Sequence, residues 1–307
     1  MNESLYKYMD VGLIHFMAYP QTIKGEGPIL ETLAEIANDE YFTLVEVTWM
    51  KDPEVRQKAK EMLAQAGMAV AFGAQPALLT QKLNLNAEDD AERKKAVDQI
   101  IACVDEAYFH NARGVAFLAG KDPGAAGRDK AKGLLMASVK QICKYAASKG
   151  TMPVLMETFD RLDFGKNAVL GPTQESVDFA AEVAKECPNF GLMLDLSHLP
   201  LLGETSKQML TAGKPYLKHI HIGNCVMKDA SHPAYGDEHP RFGIPGGENG
   251  VDELAEFLRV LLDIGYLDGK TPRPVSFEVK PIAAFGETTA AVVAGSKRTL
   301  NQAWAKI

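Results

Sequence analysis

Four stretches of this chain end a short apolar run in a carboxylate or an imidazole. The residues at these ends are Glu157, Asp195, His221 and Glu278. Each run has the length and composition of a buried β-strand, and helical segments separate the runs. In such an arrangement all four side chains reach one rim of a parallel sheet. Three carboxylates and one imidazole suit a hard divalent cation better than a thiolate-seeking zinc ion. We therefore predict a site for one Mn²⁺ or Mg²⁺ ion, with Co²⁺ as an alternative.

The segments that must position these residues alternate between strand and helix. We predict four earlier strands over 9–19, 42–49, 68–75 and 114–120. Hydrophobic periodicity predicts helices over 29–38, 53–67, 90–111, 128–148, 174–187, 206–212, 251–264 and 287–304. Asp52 and Thr173 are predicted to cap two of these helices. A long loop, 224–250, follows the seventh strand.

Eight strand–helix repeats indicate a single (β/α)₈ TIM barrel domain over residues 1–307. Alternating β and α elements favour a parallel sheet covered by helices, and active sites of such barrels lie at the carboxyl ends of the strands. An open, doubly wound sheet is the alternative. It is disfavoured because no Gly-x-Gly-x-x-Gly turn follows the first strand.

Composition excludes several classes of protein. Hydrophobic residues make up 46% of the 307 residues and charged residues 24%, as in ordinary globular proteins. The net charge of −7 argues against nucleic-acid and membrane partners. The four cysteines are scattered, which disfavours a zinc ribbon or a disulfide framework. Neither a signal peptide nor a run of roughly 18 apolar residues is seen, so we expect a cytoplasmic protein.

Nearly the whole chain resembles the xylose-isomerase-like TIM barrels, a superfamily of sugar and sugar phosphate isomerases and epimerases, and the specific motifs lie in its second half. The resemblance is carried by Glu157, Asp195-Leu-Ser-His198, His219-Ile-His221, Gly246–Gly250 and Glu278. It implies one metal ion bound by the four residues named at the outset. It also implies that Glu157 and Glu278 act as acid and base, and that His198 contacts substrate. One departure is Met227, since ketose 3-epimerases of this superfamily have an arginine at that position.

Such a site could catalyse several reactions that share an enolate-type intermediate. A cation chelated by a carbonyl and its neighbouring hydroxyl acidifies the adjacent C–H, and a carboxylate can remove that proton. Returning the proton through a cis-enediolate gives isomerisation or epimerisation, which is the leading hypothesis. A lyase is the alternative: a decarboxylase, a dehydratase or an enzyme that eliminates the aglycone of a 3-oxo-glycoside. Abasic-site DNA cleavage fits the fold but not the negative charge. A non-catalytic barrel is disfavoured because all four ligands are present.

We predict the residues that contact substrate from their positions relative to the strand ends. Lys280 follows Glu278 by two residues, so strand alternation directs it to the same interior. His232 and Arg241 belong to the charged loop after strand seven, where binding residues are common. The remaining candidates are Asn224, at the start of that loop, and His15, near the end of strand one. The expected partner is a small sugar or sugar acid: two or more of these cations near the metal would suit an acidic substrate, such as a sugar acid or sugar phosphate. Self-association into a homo-oligomer is compatible with the fold.

Three further residues were assigned from their positions. Glu46, in strand two, is predicted to be an ion-pair partner inside the barrel or a substrate ligand. His219 shares a face with His221, and we predict a packing role one layer below it. His110, on a helix, is predicted to lie at the surface.

Overall fold

Eight parallel strands follow one another around a closed barrel in the order in which they occur in the chain. The computed structural model describes Met1 and residues 3–307. The strands are β1 (Met9–Ile14), β2 (Leu44–Val47), β3 (Ala69–Gly73), β4 (Val115–Leu118), β5 (Val154–Glu157), β6 (Phe190–Asp195), β7 (Leu217–Gly223) and β8 (Arg273–Glu278). The barrel predicted from the alternating pattern is therefore confirmed.

Helices surround the barrel and connect its strands. They are α1 (His15–Ala18), α2 (Ile29–Ala37), α3 (Pro53–Gln65), α4 (Gln75–Gln81), α5 (Asp90–Phe109), α6 (Arg128–Lys149), α7 (Thr173–Ala184), α8 (His198–Leu202), α9 (Ser206–Gly213), α10 (Val251–Asp263) and α11 (Thr289–Ala305). Three single 3₁₀ turns cover Leu5–Lys7, Pro20–Thr22 and Ala283–Phe285. The cap at Asp52 is confirmed, since its carboxylate accepts a 2.8 Å hydrogen bond from the Glu54 amide.

Three local predictions are wrong. The first strand stops at Ile14, and α1 begins at His15, where the sequence pattern predicted a strand continuing to residue 19. Thr173 does not cap α7, because it is the first helical residue and its hydroxyl and amide both bond to Glu204. His110 is buried, because it follows the last residue of α5 and its ring packs edge-on against Phe109 and beside Glu106.

The barrel wall closes between β1 and β8. Gly12 pairs with Ser276 in the closing register. A side chain at Gly12 would collide with the Ser276 hydroxyl, so the absence of a Cβ lets the two strands meet with a polar group between them. That hydroxyl lies 3.1 Å from His219 Nε2, in a layer of the interior below the strand ends.

The register of the later strands aligns the chemistry-bearing residues. Asp195 on β6 pairs with His221 on β7, and Glu278 on β8 pairs with Gly223, two residues further along β7. Two long loops rise above this rim, residues 158–172 after β5 and residues 224–250 after β7. The rim and these loops form the site.

Candidate metal centre

Three carboxylates and one imidazole converge at the carboxyl end of the barrel. Each of Glu157, Asp195, His221 and Glu278 offers a ligand atom, and these four atoms all lie within 4.8 Å of one another. All four residues are buried. Strand ends bring them together because consecutive strands β5 to β8 are neighbours in the barrel, so each delivers one residue to the same rim.

His221 lies at the centre of the cluster. Its Nδ1 is 2.8 Å from Glu278 Oε2 and 3.4 Å from Glu157 Oε1. The outer oxygens of the carboxylates are held by neutral donors. Gln75 Nε2 donates to Glu157 Oε2 at 2.7 Å, and the Ser197 amide donates to Asp195 Oδ1 at 2.9 Å. The Ser197 hydroxyl also donates to the second oxygen of Asp195, whereas Glu157 Oε1 is left facing His221 Nδ1.

The electrostatics of the cluster favour a bound cation. Glu157 Oε1 is buried and has no hydrogen-bond partner among the residues that the structure describes. Burial, together with the neighbouring Glu278 carboxylate, raises the pKa of Asp195 to about 6. Gathering three carboxylates away from water is costly unless positive charge compensates them. The donor set of oxygen and one imidazole nitrogen fits Mn²⁺, Mg²⁺, Co²⁺ or Zn²⁺, so the residues present fit a divalent ion.

His198 lies beside the cluster rather than within it. Its Nε2 is 3.7 Å from Glu157 Oε1 and 3.9 Å from Asp195 Oδ2, while its Nδ1 is 3.7 Å from Asp237 Oδ1. Burial by itself lowers the pKa of this imidazole, but Asp237 and the other carboxylates outweigh that effect and raise it to about 10. Both ring nitrogens are buried without a hydrogen-bond partner among the described residues, but His198 does not line the cavity beside the cluster, so the structure does not bring this predicted substrate contact to the cavity surface.

The two long loops add a second polar array that the sequence reasoning did not assign to the site. Asp237 Oδ1 lies 2.7 Å from His239 Nε2, and its Oδ2 lies 2.7 Å from Lys166 Nζ. His239 Nε2 also lies 3.3 Å from Glu278 Oε1. Burial lowers the pKa of His239, but Glu278 and Asp237 outweigh it, so the net shift is upward.

Some signals for this array were available in the sequence. Asp237 and His239 have the spacing of residues on one side of an extended segment, inside a loop already recognised as charged. Lys166 carried no such signal, because it lies in a glycine-containing loop with no periodicity. Gln75 closes the third predicted strand in sequence but begins α4 in the structure.

A cavity of about 170 Å³ opens onto the cluster. Its polar floor includes Glu157, His221, Glu278, His239 and Lys166. The facing wall is apolar and is contributed by the loops after β1 and β3; it consists of Ile14, Phe16, Met17, Pro20, Ile23, Pro76 and Leu79. The space is large enough for roughly five or six waters, given about 30 Å³ for each. A small polyol is of comparable size.

Lys280 lines this cavity, in the position that strand alternation predicted. Its ammonium group is paired with Glu238 in the loop after β7. Arg241 and His232 lie elsewhere, in a separate cavity of about 540 Å³ that Phe285 and Glu287 also line. Arg241 Nε donates to Glu287 Oε1 at 2.8 Å.

His15 and Asn224 are not brought to the cavity. The ring of His15 is buried, with Nε2 2.7 Å from Thr32 Oγ1 on α2, and burial lowers its pKa to about 3. Asn224 holds the loop after β7 together: its Nδ2 donates to the Arg241 carbonyl at 3.0 Å, and its Oδ1 accepts from the Asn249 amide at 2.7 Å.

Below the cluster, Glu46 connects two histidines. Its Oε1 lies 2.7 Å from His219 Nε2 and 3.0 Å from His221 Nε2. Burial disfavours the carboxylate, yet the two imidazoles outweigh that effect and hold the pKa of Glu46 well below its usual range. Of the two roles predicted for Glu46, the structure shows the ion-pair partner.

A family model described as "Xylose isomerase-like TIM barrel" matches residues 34–293. The chain therefore belongs to the xylose isomerase-like TIM barrel family, as its motifs indicated. Comparison with curated protein sequences gives no significant match.

Several solved structures share the fold along nearly the whole chain. The structure of L-ribulose 3-epimerase is 18% identical, with a TM-score of 0.70, and the match covers 97% of this chain and 96% of that one. D-psicose 3-epimerase with D-tagatose, from Clostridium cellulolyticum H10, is 17% identical, with a TM-score of 0.66, and the match covers 97% of this chain and 96% of that one. The IolI protein with a binding zinc atom is 14% identical, with a TM-score of 0.71, and the match covers 97% of this chain and 99% of that one. At these identities the likeness establishes the fold.

Among the residues that the structure describes, no helix combines the length and the apolar character needed to cross a membrane.

Proposed function

We propose that this protein is a divalent-metal-dependent sugar isomerase or epimerase. The observation that carries the proposal is the convergence of Glu157, Asp195, His221 and Glu278 within 4.8 Å at the floor of a small cavity. Solved structures of the same fold support it, since they include a D-psicose 3-epimerase, an L-ribulose 3-epimerase and the IolI protein with a binding zinc atom.

The four residues would hold the ion, which when bound supplies Lewis-acid polarisation of a substrate carbonyl. Glu157 and Glu278 flank His221 Nδ1 on two sides, so each presents a carboxylate to a substrate seated between them. One removes the proton beside the carbonyl and gives a cis-enediolate; return of a proton to the neighbouring carbon isomerises the sugar, and return from the opposite face epimerises it. Gln75 keeps Glu157 oriented for this transfer.

The pairing of charges around the cavity favours an uncharged substrate. Lys166 is paired with Asp237, and Lys280 is paired with Glu238. The positive charge of a divalent cation is cancelled by the three carboxylates that would bind it, so these groups give the cavity floor no net positive charge. A sugar acid or sugar phosphate would have to displace one of these carboxylates, whereas hydroxyl groups can bond to both partners of each pair. We therefore place neutral oxo sugars ahead of acidic ones.

A lyase remains the second candidate because of His239. This imidazole faces Glu278, and its Nδ1 has no hydrogen-bond partner. It stands on the cavity floor in addition to the two glutamates, so the site contains one more group able to donate a proton than an isomerase requires. Such a donor could protonate a departing hydroxyl or aglycone of an oxo sugar.

Isotope exchange separates the two candidates. The Mn²⁺-loaded protein is incubated in D₂O with neutral ketoses, sugar phosphates and oxo sugar acids, and products are followed by NMR and mass spectrometry. Deuterium entering an intact sugar beside its carbonyl supports the isomerase or epimerase, and its position identifies the reaction. Release of water, CO₂ or an aglycone supports the lyase instead. The matched control is Glu106→Gln, which changes a buried glutamate on α5 that lies outside the cavity; it should leave the exchange unchanged.

A further inference from the structure

Glu46 lies inside the barrel, beneath the candidate metal centre, and reaches no solvent. It is 1% exposed, and its strand position pairs it with Ile14 on β1 and Ala71 on β3. It is on the far side of the barrel from β5 to β8, which deliver the four proposed ligands. No motif in the second half of the chain points to it.

The contacts of Glu46 divide the two nitrogens of His221 between two roles. His221 Nε2 lies 3.0 Å and 3.2 Å from the two Glu46 oxygens, whereas Nδ1 faces Glu278 and Glu157. A carboxylate can only accept, so the hydrogen bond to Glu46 requires the proton to be on Nε2. Nδ1 lies 2.8 Å from Glu278 Oε2, so by the same argument it also donates in the metal-free protein; a divalent ion in the cluster would replace that proton, while Glu46 would keep the proton on Nε2.

His219 fixes the carboxylate in this position. Its Nε2 lies 2.7 Å from Glu46 Oε1, and the two imidazole planes are nearly perpendicular, at 83° with ring centroids 5.3 Å apart. The same nitrogen lies 3.1 Å from the Ser276 hydroxyl on β8. Glu46 is therefore bound from β7 by two imidazoles, one of which is anchored to β8, and it cannot turn away from His221 without losing both.

We infer that Glu46 is a positioning residue for the metal centre: its contact with Nε2 orients the His221 ring, so that Nδ1 faces the carboxylates that would hold the divalent ion. This inference rests on the proposed metal dependence. The other reading is that Glu46, His219 and His221 themselves hold an ion. The charge of the two groups favours the positioning role, since Glu46, His219 and His221 include one carboxylate whereas the four proposed ligands include three.

Metal binding tests the inference without any substrate. The full chain is stripped of metal and titrated with Mn²⁺ by calorimetry and by electron paramagnetic resonance of the free ion. We expect the wild type to bind one ion, and Glu46→Gln to bind one ion about 10- to 100-fold more weakly, the usual effect of removing an outer partner of a ligating histidine. Glu106→Gln, a buried glutamate outside the site, should keep wild-type affinity.

Three results would overturn the inference. Equal Mn²⁺ affinity in wild type and Glu46→Gln would refute the positioning role while leaving the metal function intact. Two ions bound by the wild type and one by Glu46→Gln would assign Glu46 to a second ion. Absence of Mn²⁺ binding in the folded wild type would refute the proposed function and this inference with it.

A second measurement needs no variant, in case Glu46→Gln does not fold. Long-range ¹H–¹⁵N spectra of the wild-type protein loaded with Zn²⁺ report which nitrogen of His221 carries a proton. A protonated Nε2 is the expected result. A protonated Nδ1, with Nε2 bound to the ion, would contradict the inference.

Discussion

The free energy of unfolding should fall in mild acid because of His15. Measuring this fall tests whether His15 is a buried packing residue. His15 is 2% exposed, and its ring contacts Thr32 and lies 5.6 Å from that of Tyr19. Burial lowers its pKa from 6.5 to about 3. In the unfolded chain the imidazole takes up a proton below pH 6.5, whereas in the folded protein it does so only near pH 3.

The sign and size of the effect follow from this difference. A histidine whose folded pKa is lowered contributes stability above its unfolded pKa, and that stability is lost as the pH falls below 6.5. Each pH unit below that value costs about 1.4 kcal/mol until the folded pKa is reached. Between about pH 7.5 and about pH 5 the wild type should therefore lose about 2 kcal/mol of unfolding free energy through His15 alone.

Urea unfolding at the two pH values measures this loss. His15→Gln removes the titrating group, so its unfolding free energy should fall by about 2 kcal/mol less than that of the wild type over the same interval. Thr32→Val is the control: it removes the hydrogen bond but keeps the buried imidazole, so its pH dependence should match the wild type. An identical pH dependence in wild type and His15→Gln would refute the reasoning.

The other predictions concern the ion and its surroundings. Adding Mn²⁺ at about 100 times its dissociation constant should stabilise the fold by about 2.7 kcal/mol relative to protein in chelator. For a chain of this size that raises the melting temperature by about 4 °C. An unchanged melting temperature in calorimetry would argue against a metal site. Glu278→Gln should lower the rate of deuterium exchange into substrate by at least about 10²-fold. An exchange rate within a factor of about two of wild type, at saturating Mn²⁺, would show that Glu278 is not an acid or base in the reaction. Lys166→Met should cost about 2 kcal/mol by removing the cation beside the Asp237 carboxylate, whose other partner, His239, remains 2.7 Å away. The double variant Lys166→Met/Asp237→Asn should recover part of that loss in a double-mutant cycle; additive losses would show that the pair is not coupled.

Substrate charge was interpreted differently from the sequence and from the structure. In the sequence, Lys280 and the cations of the loop after β7, including Arg241, indicated an acidic substrate because nothing showed that they were paired. In the structure Lys280 is paired with Glu238, and Arg241 with Glu287. Whether a lysine is free to bind a substrate anion depends on residues that fold beside it from elsewhere in the chain.

The sequence by itself determined the barrel and the identity of the four candidate ligands. Strands of a parallel barrel are local segments that neighbour one another in chain order, so a carboxylate or an imidazole at the end of each of β5 to β8 must arrive at one rim. The identification needed only hydrophobic periodicity and the residue at each strand end.

Only the tertiary structure decided which other side chains meet them. Gln75, Lys166, Asp237 and His239 reach the site from loops and helix starts, whose conformations depend on distant packing rather than on local periodicity. Glu46 shows the same limit: its partner His221 is 175 residues away in the chain, and closure of the barrel brings the two within hydrogen-bonding distance.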